Sequence, residues 1–240
     1  MSKVITQIYG TATIEDALMC AELGADHIGI AYGEVRHLGP DQKSCAEIKE
    51  IFDRLPNTVV KVGLTIASDV DEILNDLSLY CPDVYHLSGD IRDIPPEGVQ
   101  RIRNAFPNLK IMQALPVIAG VPLEQQPIME LVKLYENTTD FFLIDTKELS
   151  STIGIGATGN THDWYIDKAI IDSTKVKCII AGGLDAGNVA KAIHISHPYG
   201  VDSCTRTSYP QNERMSGKNH KDPVKVKAFI EAVKNNADKW

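Results

Sequence analysis

Cysteine is sparse in this chain, with five residues among 240, and Cys20, Cys45, Cys81, Cys178 and Cys204 never fall in C-x-x-C spacing. An odd, scattered set speaks against a disulfide framework and against a paired-cysteine zinc site, so no metal is expected and a reducing, cytoplasmic compartment fits. Long apolar runs are missing as well. No window approaches the roughly 18 apolar residues of a membrane helix, and the opening MSKVITQIYG carries no apolar stretch of the secretory kind behind its lysine. The expectation is a protein with no membrane partner. Positive charge is in deficit: 24 Lys and Arg stand against 32 Asp and Glu, a net charge of −8. Such a field repels a polyanion and argues against nucleic acid, although a local cation cluster can still hold one small phosphate.

What is present is ordinary for a globular protein, 43% hydrophobic and 23% charged, and the length suits one (β/α)₈ barrel as a single domain. Short β-branched runs alternate with amphipathic stretches of helical spacing. The runs are Val4–Tyr9, His27–Tyr32, Val59–Leu64, Val84–Leu87, Leu109–Ala114, Phe141–Asp145, Lys177–Ala181 and Tyr199–Ser203. Helices are expected over Thr13–Leu23, Asp41–Leu55, Asp69–Tyr80, Pro96–Phe106, Leu123–Asn137, Trp164–Asp172, Asn188–His197 and Pro223–Asn236. Eight strands, each followed by a helix, demand parallel pairing with helical crossovers. An open doubly wound sheet alternates in the same way, but the length and the unit count favour a closed TIM barrel. Two long loops, Thr146–Asp163 and Cys204–Asp222, follow the sixth and eighth strands, on the face where such barrels place their sites.

Several residues at that face carry chemistry. Asp145 ends the run FFLID, where desolvation can raise a carboxyl toward general-acid use; a role as a loop cap is the competing reading. Gly182-Gly183 closes the seventh strand, and Gly159 lies in the glycine-rich stretch Gly154–Trp164, so backbone N–H groups there can approach a phosphate. A tight turn explains the glycine pair equally well. Past the eighth strand, which holds Asp202, come Cys204, Thr205 and Arg206; the guanidinium matches two phosphate oxygens but also suits a solvated loop. Lys218 and Lys221 read as solvated surface. Tyr9 and His86 end strands one and four, where each either binds a ligand or is a satisfied core residue.

In order along the chain, EDALMCAELGAD (Glu15–Asp26), Arg36, VVKVGL (Val59–Leu64), HLSGD (His86–Asp90), LIDT (Leu143–Thr146), GATGNTHDW (Gly156–Trp164), AGGLDAGNV (Ala181–Val189), GVD (Gly200–Asp202) and Lys221-Asp222 resemble the phosphoribosylanthranilate isomerase family. The resemblance spans nearly the whole chain. It implies a (β/α)₈ barrel that performs an Amadori rearrangement without a cofactor, turning an aldose-type imine into a ketose-type amine in tryptophan biosynthesis. By that resemblance Asp145 is the general acid, Arg36 meets the carboxylate of the aromatic moiety, and Gly182-Gly183 with the loop after strand eight hold the phosphate. The residues themselves add Gly159, Thr205 and Arg206 as phosphate-binding candidates and His86 and Asp202 as substrate-binding ones, although HLSG and Cys204-Thr205-Arg206 stand where the family has Q-L-H-G and S-S-G. The family's first strand reads K-I-C-G with cysteine as base, whereas this chain has QIYG, with Tyr9 in that place. An unperturbed phenol near pKa 10 is a poorer base than a thiol near 8.5.

In a closed barrel strand eight adjoins strand one, so Cys204 is a candidate for the missing base, beside Tyr9 and His86. The reading is a sugar-phosphate isomerase of this type acting on a variant of the family's substrate, as a monomer or homodimer that takes a phosphorylated small molecule. The alternatives are a non-catalytic barrel that binds a phosphorylated metabolite, and an aldolase or epimerase of a phosphorylated sugar. Schiff-base aldol chemistry wants a lysine at a strand end, and Lys61 and Lys177 begin or precede apolar runs instead.

Overall fold

The computed structural model describes residues 3–147, 159–215 and 217–237. Eight parallel strands close on themselves in the order of the chain: β1 (Ile5–Tyr9), β2 (His27–Ala31), β3 (Val60–Thr65), β4 (Val84–Leu87), β5 (Lys110–Ile118), β6 (Phe141–Lys147), β7 (Lys177–Ile180) and β8 (Gly200–Ser203). Closure is direct, because β1 pairs with β2 on one side and with β8 on the other, Gln7 facing Asp202 in register. The helices are α1 (Ile14–Glu22), α2 (Cys45–Asp53), α3 (Val70–Leu79), α4 (Pro96–Ala105), α5 (Ile128–Tyr135), α6 (Trp164–Ser173), α7 (Val189–Ser196) and α8 (Pro223–Ala237). None of the described helices is long and apolar enough to cross a membrane.

Strand alternation divides the core into two layers. On β6, Phe141 and Leu143 face the lumen with Tyr9, Val62, Val84, Met112, Ile179 and Ala181, while Phe142 and Ile144 face the helices. By the same period Asp145 stands on the lumen face at the strand's carboxyl end.

Local chemistry moves several boundaries away from the expected ones. The helix expected over Asp41–Leu55 begins only at Cys45, because Ser44 and Glu47 form a reciprocal capping box and Lys43 first bridges to Tyr32. The expected helix Leu123–Asn137 splits into a 3₁₀ turn at Leu123–Gln125 and α5. Pro127 interrupts it, and the Gln126 amide turns back to accept from Ile118 N and to donate to the Ile118 and Val121 carbonyls. β5 runs past its expected end at Ala114 to Ile118, and Pro116 is accommodated opposite Asp145 in the long ladder with β6. The segment after β8 is not an open loop: two 3₁₀ turns, Thr205–Thr207 and Gln211–Glu213, and an antiparallel bridge between Ser208 and Lys221 organise it.

Candidate active site at the barrel mouth

Asp145 sits at the end of β6, partly exposed, and one of its carboxylate oxygens accepts the Thr146 backbone N–H at 2.7 Å. Desolvation pushes the carboxyl up to about 6, against the lowering pull of that N–H and of nearby His162. Facing it across β7, whose lumen residue there is the small Ala181, lies the buried Asp202 of β8. Burial and the Asp145 charge hold Asp202 well above the usual carboxylate range. Two acids in one pocket do not both ionise readily, which keeps a proton available at neutral pH.

The raised Asp145 carboxyl has a stability signature. Its folded pKa of about 6 exceeds the unfolded value, so the folded state binds the extra proton. The resulting stabilisation is present below an unfolded pKa of about 3.9 and is lost as the pH rises through the folded pKa. Asp145→Asn, which keeps an acceptor for Thr146 N–H, is therefore expected to melt above the wild type at pH 8. That advantage should vanish near pH 4 in a calorimetric comparison.

Tyr9 and His86 are brought to each other rather than to the mouth. The phenol oxygen lies 2.7 Å from His86 Nδ1, and its ring rests on Gly29, where an added Cβ would come within 2.0 Å of Cε1. Burial raises the phenol far above its ordinary value, with Asp202, Cys204 and Asp145 adding to the effect, and burial pulls His86 down to about 3. A neutral imidazole thus meets a neutral phenol, and His86 Nε2 has no hydrogen-bond partner among the described residues.

On the other side of the mouth, Asp145, Gly159, Gly182, Gly183, Asp202, Cys204, Thr205 and Arg206 line one tight cleft of about 20 Å³. Gly159, Gly182 and Gly183 all have positive φ, between 62° and 82°. The pair is also sterically obligatory: a Cβ on Gly182 would lie 2.1 Å from Thr146 Oγ1, and one on Gly183 would lie 2.6 Å from the Gly159 carbonyl oxygen. Arg206 Nε donates to that same carbonyl at 2.9 Å, tying the segment after β6 to the one after β8. Gly154 and Gly156 lie outside the described residues.

Cys204 lies beside the end of β1, its sulfur 3.0 Å from where a Cβ on Gly10 would sit. Burial pushes the thiol up, Asp202 and Asp145 add to that, and the Lys221 and Arg214 cations oppose it. Lys221 corrects the sequence reading. It is 1% exposed, and its Nζ donates to the Cys204 carbonyl and to the Thr207 and Ser208 hydroxyls. Arg36, in contrast, is half-exposed and donates to the Gln42 carbonyl at 2.7 Å and to Glu47 at 3.2 Å. Among the described residues no cluster of three or more His, Cys, Asp or Glu side chains is placed to hold a metal ion.

A family profile described as N-(5'-phosphoribosyl)anthranilate (PRA) isomerase matches residues 6–232. The N-(5'-phosphoribosyl)anthranilate isomerase of Methanocella arvoryzae is 33% identical over 228 residues, 95% of this chain and 97% of that one. The chain belongs to the phosphoribosylanthranilate isomerase family. A second relative, N-(5'-phosphoribosyl)anthranilate isomerase 2 of Methanosarcina mazei, is 28% identical across 96% of this chain and 94% of its own. Among solved structures, the phosphoribosylanthranilate isomerase of Thermotoga maritima superposes with a TM-score of 0.76 at 27% identity, covering 97% of this chain and 99% of that one. Another, a phosphoribosylanthranilate isomerase in complex with reduced 1-(o-carboxyphenylamino)-1-deoxyribulose 5-phosphate, gives 0.73 at 25% identity over the same shares.

Within that family frame, sequence reasoning missed two features of the site. One is the burial of Lys221. The other is the fully buried pair His162–Asp167, 2.7 Å apart, whose imidazole also meets Thr146 Oγ1 at 2.8 Å. A histidine five residues before an aspartate carries no helical or strand spacing that would have revealed the pair.

Proposed function

We propose that this sugar-phosphate isomerase catalyses the Amadori rearrangement of a phosphorylated ribosylamine, with Asp145 as general acid and Cys204 as general base. The observation that carries the reading is that a carboxyl raised to about 6 shares one cleft with the Gly182-Gly183 pair and a thiol. In the first step Asp145 protonates the ring oxygen while the nitrogen lone pair expels it from C1, giving an open-chain protonated imine. In the second the base removes the C2 proton, and the C–H electrons form the C1–C2 double bond while the imine electrons return to nitrogen. The enolamine then tautomerises to the ketose-amine. In that tautomerisation the base returns its proton to C1 and the C2 hydroxyl proton passes to Asp145, so both groups are restored and no atom is gained or lost overall.

Cys204 is favoured over Tyr9 as base because it lines the cleft, whereas the phenol is engaged with His86 beneath it. Burial holds the thiol above its ordinary value against the pull of Lys221 and Arg214, and the cationic imine formed in the first step adds a further positive charge that favours the thiolate. For the phosphate, backbone N–H groups at Gly182 and Gly183 have no acceptor among the described residues, and Thr205 opens a 3₁₀ turn across from them. Arg36 is the proposed partner of an aromatic carboxylate. Its exposed pair with Glu47 contributes little, so re-aiming the guanidinium costs little.

Cys204→Ser is expected to lower turnover by about 10²–10⁴-fold, the range of a lost general base, while Tyr9→Phe should retain most of it. Steady-state assays on N-(5'-phosphoribosyl)anthranilate decide this, and full turnover by Cys204→Ser would overturn the assignment of the base.

A further inference from the structure

The segment behind Asp145 is built more elaborately than a strand end requires. Thr146 has two engagements: its N–H holds the Asp145 carboxylate at 2.7 Å, and its side-chain oxygen lies 2.8 Å from His162 Nδ1. The other imidazole nitrogen, Nε2, donates to Asp167 Oδ1 at 2.7 Å, and the side chains of both His162 and Asp167 are 0% exposed. Thr146 Oγ1 is also pressed against Gly182, the first glycine of the proposed phosphate loop. One hydrogen-bonded chain, Asp167 to His162 to Thr146, therefore backs both the acid and the loop.

A buried ion pair is a poor stabiliser compared with apolar side chains of the same volume, because both charges leave water. Packing alone gives no reason for a histidine and an aspartate at these positions. Their geometry supplies one. We infer that His162 and Asp167 are positioning residues for Asp145, fixing the Thr146 backbone that carries its hydrogen bond and setting the electrostatic field at its carboxyl. The inference rests on the reading of Asp145 as the general acid.

The sign of the field follows from the charges around each group. Burial opposes a charged His162, but the Asp167 carboxylate, its hydrogen bond, and the Asp145 and Asp163 charges outweigh burial and hold the imidazole above its ordinary value. At Asp145 the His162 cation lowers the carboxyl more than the Asp167 anion raises it. Among the described residues, the other titratable groups coupled to Asp145 are Asp202 and Cys204 at the β8 end and Tyr9 on β1. Asp167→Asn keeps an acceptor for His162 Nε2 but removes the charge that sustains the imidazolium. Burial then neutralises His162, and Asp145 loses the cation that lowers its carboxyl.

The test is a ¹³C NMR titration of the full-length chain labelled at aspartate carboxyl carbon, with the Asp145 signal assigned by its loss in Asp145→Asn. The Asp145 midpoint is expected to rise in Asp167→Asn, and to rise likewise in His162→Phe/Asp167→Leu, where apolar groups replace both charges and keep the fold. In turnover assays the fall of kcat/KM on the alkaline side of the acid should move upward in step. A purely structural pair would lower rates at every pH without moving either midpoint. An Asp145 midpoint unchanged or lower in both variants overturns the inference. The NMR readout needs no turnover, so failure of the isomerase reading leaves it intact and is recognised separately by an inactive wild type.

Discussion

Asp145→Asn is expected to reduce kcat/KM for N-(5'-phosphoribosyl)anthranilate by about 10³-fold, within the usual range for removal of a general acid. The amide is close in shape, accepts the same Thr146 N–H and cannot release a proton to the ring oxygen. Binding of the phosphate should survive, because the glycine pair and the 3₁₀ turn after β8 are untouched. The loss should therefore fall on kcat, with KM nearly unchanged. A large rise in KM with kcat preserved would mean that Asp145 binds substrate rather than protonating it.

The second large effect lies one layer below the mouth. Gly29→Ala is expected to destabilise the barrel by about 3 kcal/mol, since overpacking and the loss of a buried hydrogen bond both contribute. For a chain of this size that lowers the Tm by about 6–12 °C. The cause is local: the new Cβ would fall within 2.0 Å of Tyr9 Cε1 and 2.1 Å of Cδ1, so the ring must leave Gly29 and release His86. A smaller residue at position 9 removes the conflict. In a Tyr9→Cys background Gly29→Ala should be nearly neutral, and the double-mutant cycle should show strong coupling. Additive melting temperatures would mean that the ring has another place to go.

These two sites differ in how far the sequence exposes them. Asp145 is legible because it ends an apolar run, and alternation on a strand fixes its side once the run is recognised. The barrel itself is legible for the same reason, through eight short runs and the helices between them. Glycines 182 and 183 announce positive φ or a close approach, and the structure shows both. Tyr9 is different. Its partners, Gly29 on β2 and His86 on β4, lie 20 and 77 residues away, and only closure and register bring them together.

The same distance explains the misread residues. Lys221 sits in a polar stretch, SGKNHKDP, that by composition belongs to solvent. Its burial depends on three acceptors, the Cys204 carbonyl and the Thr207 and Ser208 hydroxyls, gathered by a turn and a bridge that no local pattern signals. A long stem with three satisfied donors makes such burial tolerable. Boundaries around α2 and α5 moved for a simpler reason: Ser44 and Pro127 start those helices later than hydrophobic periodicity alone suggests.

Arg36 shows where a family pattern and a local geometry diverge. The resemblance assigns it a ligand carboxylate, while the structure engages it with the start of α2. With Tyr9 in place of a short side chain, the lumen beneath the mouth is filled and the cleft is confined to the ends of β6 to β8. Acid, thiol and glycine loop are all found within that sector.

The most direct test of the account is the steady-state conversion of N-(5'-phosphoribosyl)anthranilate by the purified chain, wild type beside Asp145→Asn. The wild type is expected to form the ketose-amine, and the variant to lose about three orders of magnitude in rate. An inactive wild type, or a variant that turns over as fast, would contradict it.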